Sequence, residues 1–204
     1  MLKEKYDIIV TRYVGIEGTA VLARYGYDEL CERYPSYLVT EAASFDENKE
    51  QFYIDDVLKE VSLLREGSLF NASLKYAAEY TEFGIFEALF SMAKELKCGI
   101  RINIKDIPIK QETVEMCEFF KANPYAMYSG MSAVIVTKDG EDVVRFLEEN
   151  GICAQIVGYT TYEDNDKIVI NEEESGFLQH IRKDELKNIL GRREYYERTN
   201  SGNC

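Results

Sequence analysis

The sequence has no tryptophan, a single histidine (His180) and only three prolines in 204 residues. One histidine excludes a multi-histidine metal centre, and no zinc-ligand spacing is present, so no metal site is expected. The five cysteines (31, 98, 117, 153 and 204) include no C-x-x-C pair. An odd, scattered set reads as reduced thiols in a cytoplasmic protein rather than a disulfide framework. Basic residues are scarce: 24 Lys and Arg stand against 37 Asp and Glu, for a net charge of −13. That balance argues against nucleic-acid or anionic-membrane partners, which need a positive surface. The local pair Arg192-Arg193 is diluted by Glu194 and Glu197. No apolar run approaches the ~18 residues of a membrane span. The N-terminus lacks a signal-peptide core. The acidic runs 46–50 and 163–166 lack the residue order of a calcium loop and read as solvated loops.

What is present is a globular composition, 46% hydrophobic and 12% aromatic. It is enough for one core over residues 1–190, followed by a polar tail over 191–204. The chain is organised around Tyr13-Val14-Gly15-Ile16-Glu17-Gly18-Thr19-Ala20. The apolar run Asp7 to Thr11 leads in, and Val21, Leu22 and Tyr25 lead out. That order reads as strand, glycine turn, helix. Two glycines three apart permit positive φ and leave space above the turn. Thr19 is expected to cap the helix. Free N–H groups at the positive end of a helix would suit an anion. A tight connection with no ligand accounts for the same spacing, and Glu17 argues against an unassisted phosphate site.

Further along, Gly26 interrupts the first helical pattern, Tyr27 to Tyr34 resumes it, and Pro35 ends it. Ser36 to Phe45 has no clear period. Tyr53 to Glu66 reads as a helix with Gly67 at its end. Ile85, Leu89, Met92, Ala93 and Leu96 share one helical face, with Gly99 expected as the terminal glycine. Ile100, Ile102 and Ile104 alternate as a half-buried strand. Gln111 to Lys121 reads as a helix with Val114, Cys117 and Phe120 inward, and Asn123-Pro124 as a turn. Ser132 to Thr137, Glu141 to Asn150 and Ala154 to Tyr159 make a strand-helix-strand unit, which normally joins parallel strands. Lys167 to Asn171 is a further strand, and Lys183 to Leu190 a short helix. The mixture predicts an α+β or α/β protein with helices covering a mixed sheet.

Several blocks, in order, resemble the C-terminal domain of the aminoimidazole ribonucleotide (AIR) synthetase superfamily, nearest its AIR-synthase-related and hydrogenase-maturation carbamoyl dehydratase branch. They are Asp7 to Thr11 with Gly15 to Ala20; Tyr80-Thr81-Glu82-Phe83-Gly84-Ile85-Phe86, similar to a D-x-T-x-G-G stretch; Ile107-Pro108-Ile109 through Cys117 to Phe120; Asn123-Pro124-Tyr125 with Ser129-Gly130; and the strand-helix-strand unit ending at Gly158. The resemblance implies an α+β fold, a layered α/β/α domain around a mixed sheet and partly ferredoxin-like. It implies ligand-binding positions at Gly15, Gly18, Thr19, Thr81 and Gly84. Two departures stand out: Glu79 where the family has Asp, and Phe83 where it has the first glycine.

Family enzymes hold Mg-ATP largely through an N-terminal half that also dimerises. By this resemblance the chain is similar to the C-terminal half. The resemblance therefore implies a module that is not catalytic in isolation and binds a partner, a phosphate or a nucleotide. No cofactor is expected for the chain alone, and ATP with Mg only alongside a separate N-terminal-type domain. In that second case it would be half of a split ATP-dependent enzyme. Self-association is also expected, with Tyr37, Leu38, Val39 and Phe45 as the candidate contact. Cys204 matches the family only in being a terminal cysteine, since Asn200 to Asn203 departs from the family ending. A carbamoyl-carrier thiol and a plain tail cysteine are both open.

Overall fold

The computed structural model describes residues 4–47, 76–79, 83–130, 132–163 and 165–191. The helix expected over Tyr53 to Glu66, its glycine Gly67, Thr81 and the tail with Cys204 lie outside the described residues. The strands are β1 (Asp7–Thr11), β2 (Tyr76–Glu79), β3 (Gly99–Asn103), β4 (Ala133–Thr137), β5 (Ala154–Thr161), β6 (Lys167–Asn171) and β7 (Glu174–Phe177). They form one seven-stranded sheet in the order β2-β4-β1-β5-β3-β6-β7. The β3–β6 pair is parallel and the other pairs are antiparallel.

The helices are α1 (Ile16–Tyr25), α2 (Tyr27–Arg33), α3 (Ser36–Ala43), α4 (Gly84–Leu96), α5 (Gln111–Phe120) and α6 (Gly140–Glu149). A further helical segment covers 185–191. The β4-α6-β5 unit is the expected crossover. Its two strands run parallel but are not neighbours, because β1 lies between them and is antiparallel to both. This split arrangement is the ferredoxin-like part of an α+β fold.

Central β1 is nearly all β-branched, as a strand buried on both faces requires. Ile8 and Val10 face a core shared with Ile85, Leu89 and Met92 of α4. Ile9 faces Val143 and Leu147 of α6. The sheet is therefore a middle layer between α4 and α6. A third cluster gathers Ala23 of α1, Leu30 of α2, Val39 and Ala42 of α3, and Met116 of α5.

Several local expectations are corrected. The segment 36–45 contains α3, with Val39 and Ala42 fully buried and Leu38 packed against the same cluster. Of the four residues expected to make a self-association contact, Val39 is buried, Leu38 and Phe45 are half-buried and Tyr37 is 71% exposed. Helix α4 ends on Lys97 at φ 51, not on Gly99. The Cys98 amide donates back to the Ala93 carbonyl at 3.0 Å, which satisfies the helix end without a glycine. Gly99 instead opens β3, where an added Cβ would overlap the carbonyl oxygen of Glu163. In α5, Thr113 and Met116 are inward with Cys117, while Val114 is 39% exposed.

Candidate functional site

Two glycine-opened helices meet at one loop. Helix α1 follows Gly15 at φ +73, and α4 starts at Gly84 at φ +75. Both values lie in the region where only glycine is unstrained. Between the two helix starts runs the segment 124–129. It opens as a short 3-10 turn, Pro124–Ala126, for which Asn123 Oδ1 accepts from the Tyr125 amide at 3.0 Å. Ser129 Oγ then accepts from the Gly15 amide at 2.6 Å and donates to the Met127 carbonyl at 3.1 Å. An added Cβ at Gly84 would stand 2.6 Å from Met127 O and 2.8 Å from both Met127 N and Tyr125 O. The loop backbone is therefore pressed against the first turn of α4.

The structure thus brings Gly15, Gly18, Thr19 and Gly84 around a single loop, while Thr81 lies outside the described residues. The roles differ from the sequence expectation. Gly18 and Thr19 are inside α1, not in the turn before it. Thr19 does not cap: α1 has no side-chain cap, and the Thr19 hydroxyl donates to the Gly15 carbonyl at 2.7 Å. It also lies 3.0 Å from the Thr113 hydroxyl, and both threonines are fully buried. The space beside Gly18 is filled by Met127, whose Sδ would stand 2.6 Å from an added Cβ. Helix α4 likewise starts without a side-chain cap, after Phe83.

Met127 and Thr113 were not legible as site residues, since neither type at those positions carries a chemical signature. Met127 belongs to a small cluster with Leu22, Cys117 and Ile189. Burial pushes the Cys117 thiol up to about 12, with Glu185 adding to the shift, so it is unreactive while the cluster is closed. Asp184, just before the 185–191 helix, accepts at Oδ1 from the Leu186 amide at 2.8 Å and the Lys187 amide at 3.4 Å. Its Oδ2 is buried without a hydrogen-bond partner. Burial raises the Asp184 pKa against the opposing pull of those amides, of the Tyr128 backbone amide and of the Lys187 charge. His180 stacks on Phe90 at 4.6 Å, with Nε2 3.3 Å from Glu87 Oε1. Among the described residues, no group of three or more His, Cys, Asp or Glu could hold a metal ion.

The sequence profile described as "AIR synthase related protein, C-terminal domain" matches residues 8–171. The chain belongs to the AIR synthase-related family, as its C-terminal domain. Similar solved structures include E. coli HypE, a hydrogenase maturation protein, at 16% identity and a TM-score of 0.65, covering 93% of this chain and 54% of that one. The HypE-HypF complex matches at 15% identity and a TM-score of 0.61, covering 85% and 52%. Thiamine-monophosphate kinase from Stenotrophomonas maltophilia matches at 14% and 0.50, covering 84% and 51%. These likenesses establish the fold. The chain spans about half the length of each of these proteins. No curated protein matches the sequence. No described helix is long and apolar enough to cross a membrane.

If Gly18 is glycine because Met127 fills its open side, the two positions must be coupled. Gly18→Ala is expected to cost about 1–3 kcal/mol through overpacking, because Met127 is flexible and can give way in part. Met127→Ala leaves a cavity and costs roughly 2–5 kcal/mol. In the double variant the new methyl enters the vacated space, so urea titration should give a coupling of at least about 0.5 kcal/mol. Strict additivity would remove Met127 as the reason for the glycine.

Proposed function

We propose that this AIR synthase-related domain is the binding half of a composite site: it contacts a phosphate-bearing ligand, such as a nucleotide, together with an N-terminal-type domain, and does no chemistry alone. The supporting observation is the convergence of two glycine-opened helix starts, at Gly15 and Gly84, on one loop. Helix N-termini favour negative charge through exposed N–H groups and the helix dipole. The seat is occupied in the described state: Ser129 takes the Gly15 amide, Met127 fills the space beside Gly18, and Glu17 places an acid in the first turn of α1. Phosphate binding by the chain alone should accordingly be weak. The hydroxyls of Ser129, Thr19 and Thr113 are engaged with backbone or with one another. Phosphoryl-transfer chemistry is mostly positioning and charge stabilisation, so groups from a second domain would be needed to complete it.

The purified chain with Mg-ATP should release no phosphate above background. Calorimetry with inorganic phosphate or ATP should show only millimolar affinity, removed by Gly18→Val and little changed by Thr19→Ala. Turnover that copurifies with the chain and responds to its point variants would overturn the reading. So would the absence of any binding when an N-terminal-type domain is added.

A further inference from the structure

We propose that residues 180–191 are a latch that opens as a unit, independently of the sheet, and that Met127 is the plug it holds over the glycine turn. The proposal deepens the reading above only in its phosphate arm; the latch itself stands on geometry alone.

Beyond the end of β7 the chain leaves the sheet. The last ladder-like bond is from the Leu178 amide to the Lys167 carbonyl, at 2.7 Å. From there to the 185–191 helix no strand or helix is formed. This stretch is held by side-chain contacts rather than by a ladder, beginning with His180, which stacks on Phe90 at 4.6 Å. Glu87 of α4, only 8% exposed, accepts from the Ile181 amide at 3.1 Å with Oε2. Its Oε1 accepts from Ser91 Oγ at 2.9 Å and faces His180. Further on, Ile189 is 7% exposed and packs with Leu22, Cys117 and Met127, and Leu186 lies against the same cluster.

Against these contacts stands a standing cost. Asp184 is 2% exposed, and one of its carboxylate oxygens has no partner. The backbone amides of Leu186, Lys187 and Tyr128 favour its charge, but burial outweighs them, so the ionised carboxylate opposes docking. Its rehydration on opening therefore offsets part of the apolar area lost. Segments with little buried apolar contact and no ladder bonds are the ones that open locally, below the global unfolding free energy.

Opening would have a defined consequence. Ile189 and Leu186 would leave the cluster, and Met127 would lose the side chains behind it. Met127 is unbranched and could then swing away from Gly18. The space beside the first turn of α1 would be uncovered. The same movement would expose Cys117, which sits in that cluster and nowhere near the sheet core that buries Cys98. The two buried thiols are thus built-in reporters, one for the latch and one for the sheet.

The test is maleimide labelling of the full chain under native conditions, with peptide mapping of Cys117 and Cys98 over time. In the wild type, Cys117 should react at least about tenfold faster than Cys98, because local opening is more frequent than global unfolding. Ile189→Ala should raise the Cys117 rate and leave Cys98 unchanged. Asp184→Asn keeps an oxygen for the Leu186 and Lys187 amides but removes the buried charge, so it should slow Cys117. Equal rates at the two cysteines, or equal acceleration of both by Ile189→Ala, would overturn the latch. Millimolar inorganic phosphate should speed Cys117 labelling if the uncovered space accepts it. A latch that opens without responding to phosphate would support the latch and sink the phosphate part of the functional reading.

Discussion

Gly84→Ala is expected to leave the protein at or beyond the edge of folding, with a loss of roughly 4 kcal/mol. Two costs add. The backbone sits at φ +75, where an L side chain is strained by about 1–2 kcal/mol. The added Cβ would also press on Met127 O at 2.6 Å and on Met127 N and Tyr125 O at 2.8 Å. Those are backbone atoms, and they cannot swing aside as a side chain does. Overpacking of that kind adds a further 1–3 kcal/mol, roughly. Gly151 supplies the control. It has φ +76 but nothing within 4 Å of an added Cβ. Gly151→Ala should therefore show the strain cost alone, about 1–2 kcal/mol. Urea midpoints of the two variants, compared with wild type, separate the terms. Equal losses would mean that the loop 124–129 does not press on α4 as described, and the convergence behind the functional reading would lose its mechanical basis.

The reason this glycine matters was only half legible in the sequence. Strand periods and helix faces were readable, because β1, α4, β3 and the β4-α6-β5 unit each bury a continuous pattern whose spacing is local. The α+β architecture followed from those elements and from the order of the family-like blocks. The site was harder to read. Gly15 and Gly84 mark positive φ, and a glycine before a helix suggests that. What each glycine faces is set by a loop far away in sequence, and no spacing rule connects Gly18 to Met127. Thr19 reads as a cap by type and position, yet α1 starts earlier because Gly15 itself takes the left-handed conformation. Lys97 and Lys121 end helices at positive φ without being glycine; the end of α4 therefore fell two residues before Gly99, where glycine placed it. Val114 shows the same limit from the other side. An apolar type at a plausible spacing faces outward because α5 turns Thr113 and Met116 toward α1 and α2.

Gly158→Ala should be comparably severe, for a different reason. Gly158 lies in β5 opposite Ile102 of β3 on one side and Ile8 of β1 on the other. Along β1 the register then jumps, since Ile9 faces Ile156, and Val157 is the extra residue of a β-bulge. Val157 is fully buried and belongs to the core beneath α4. A bulge bends its strand and increases the local twist, and here it sits next to Gly158, where β5 pairs closely with β3. An added Cβ at Gly158 would overlap the Arg101 carbonyl oxygen and stand 2.9 Å from Arg101 C and Ile102 Cα. Relief would require β5 and β3 to part in the middle of the sheet, which breaks ladder bonds on which β6 and β7 also depend. The expected loss is roughly 3–5 kcal/mol, in the range reserved for core disruption. Gly176→Ala is the matched comparison: Gly176 is also in a strand, but at the β7 edge with nothing within 4 Å. There the change removes unfolded-state freedom and should be neutral or stabilising by up to about 1 kcal/mol. Chemical denaturation of both variants checks the contrast. If Gly158→Ala folds with wild-type stability, the two strands are not held as close as the bulge implies, and the sheet between β1 and β6 must be looser than its pairing suggests.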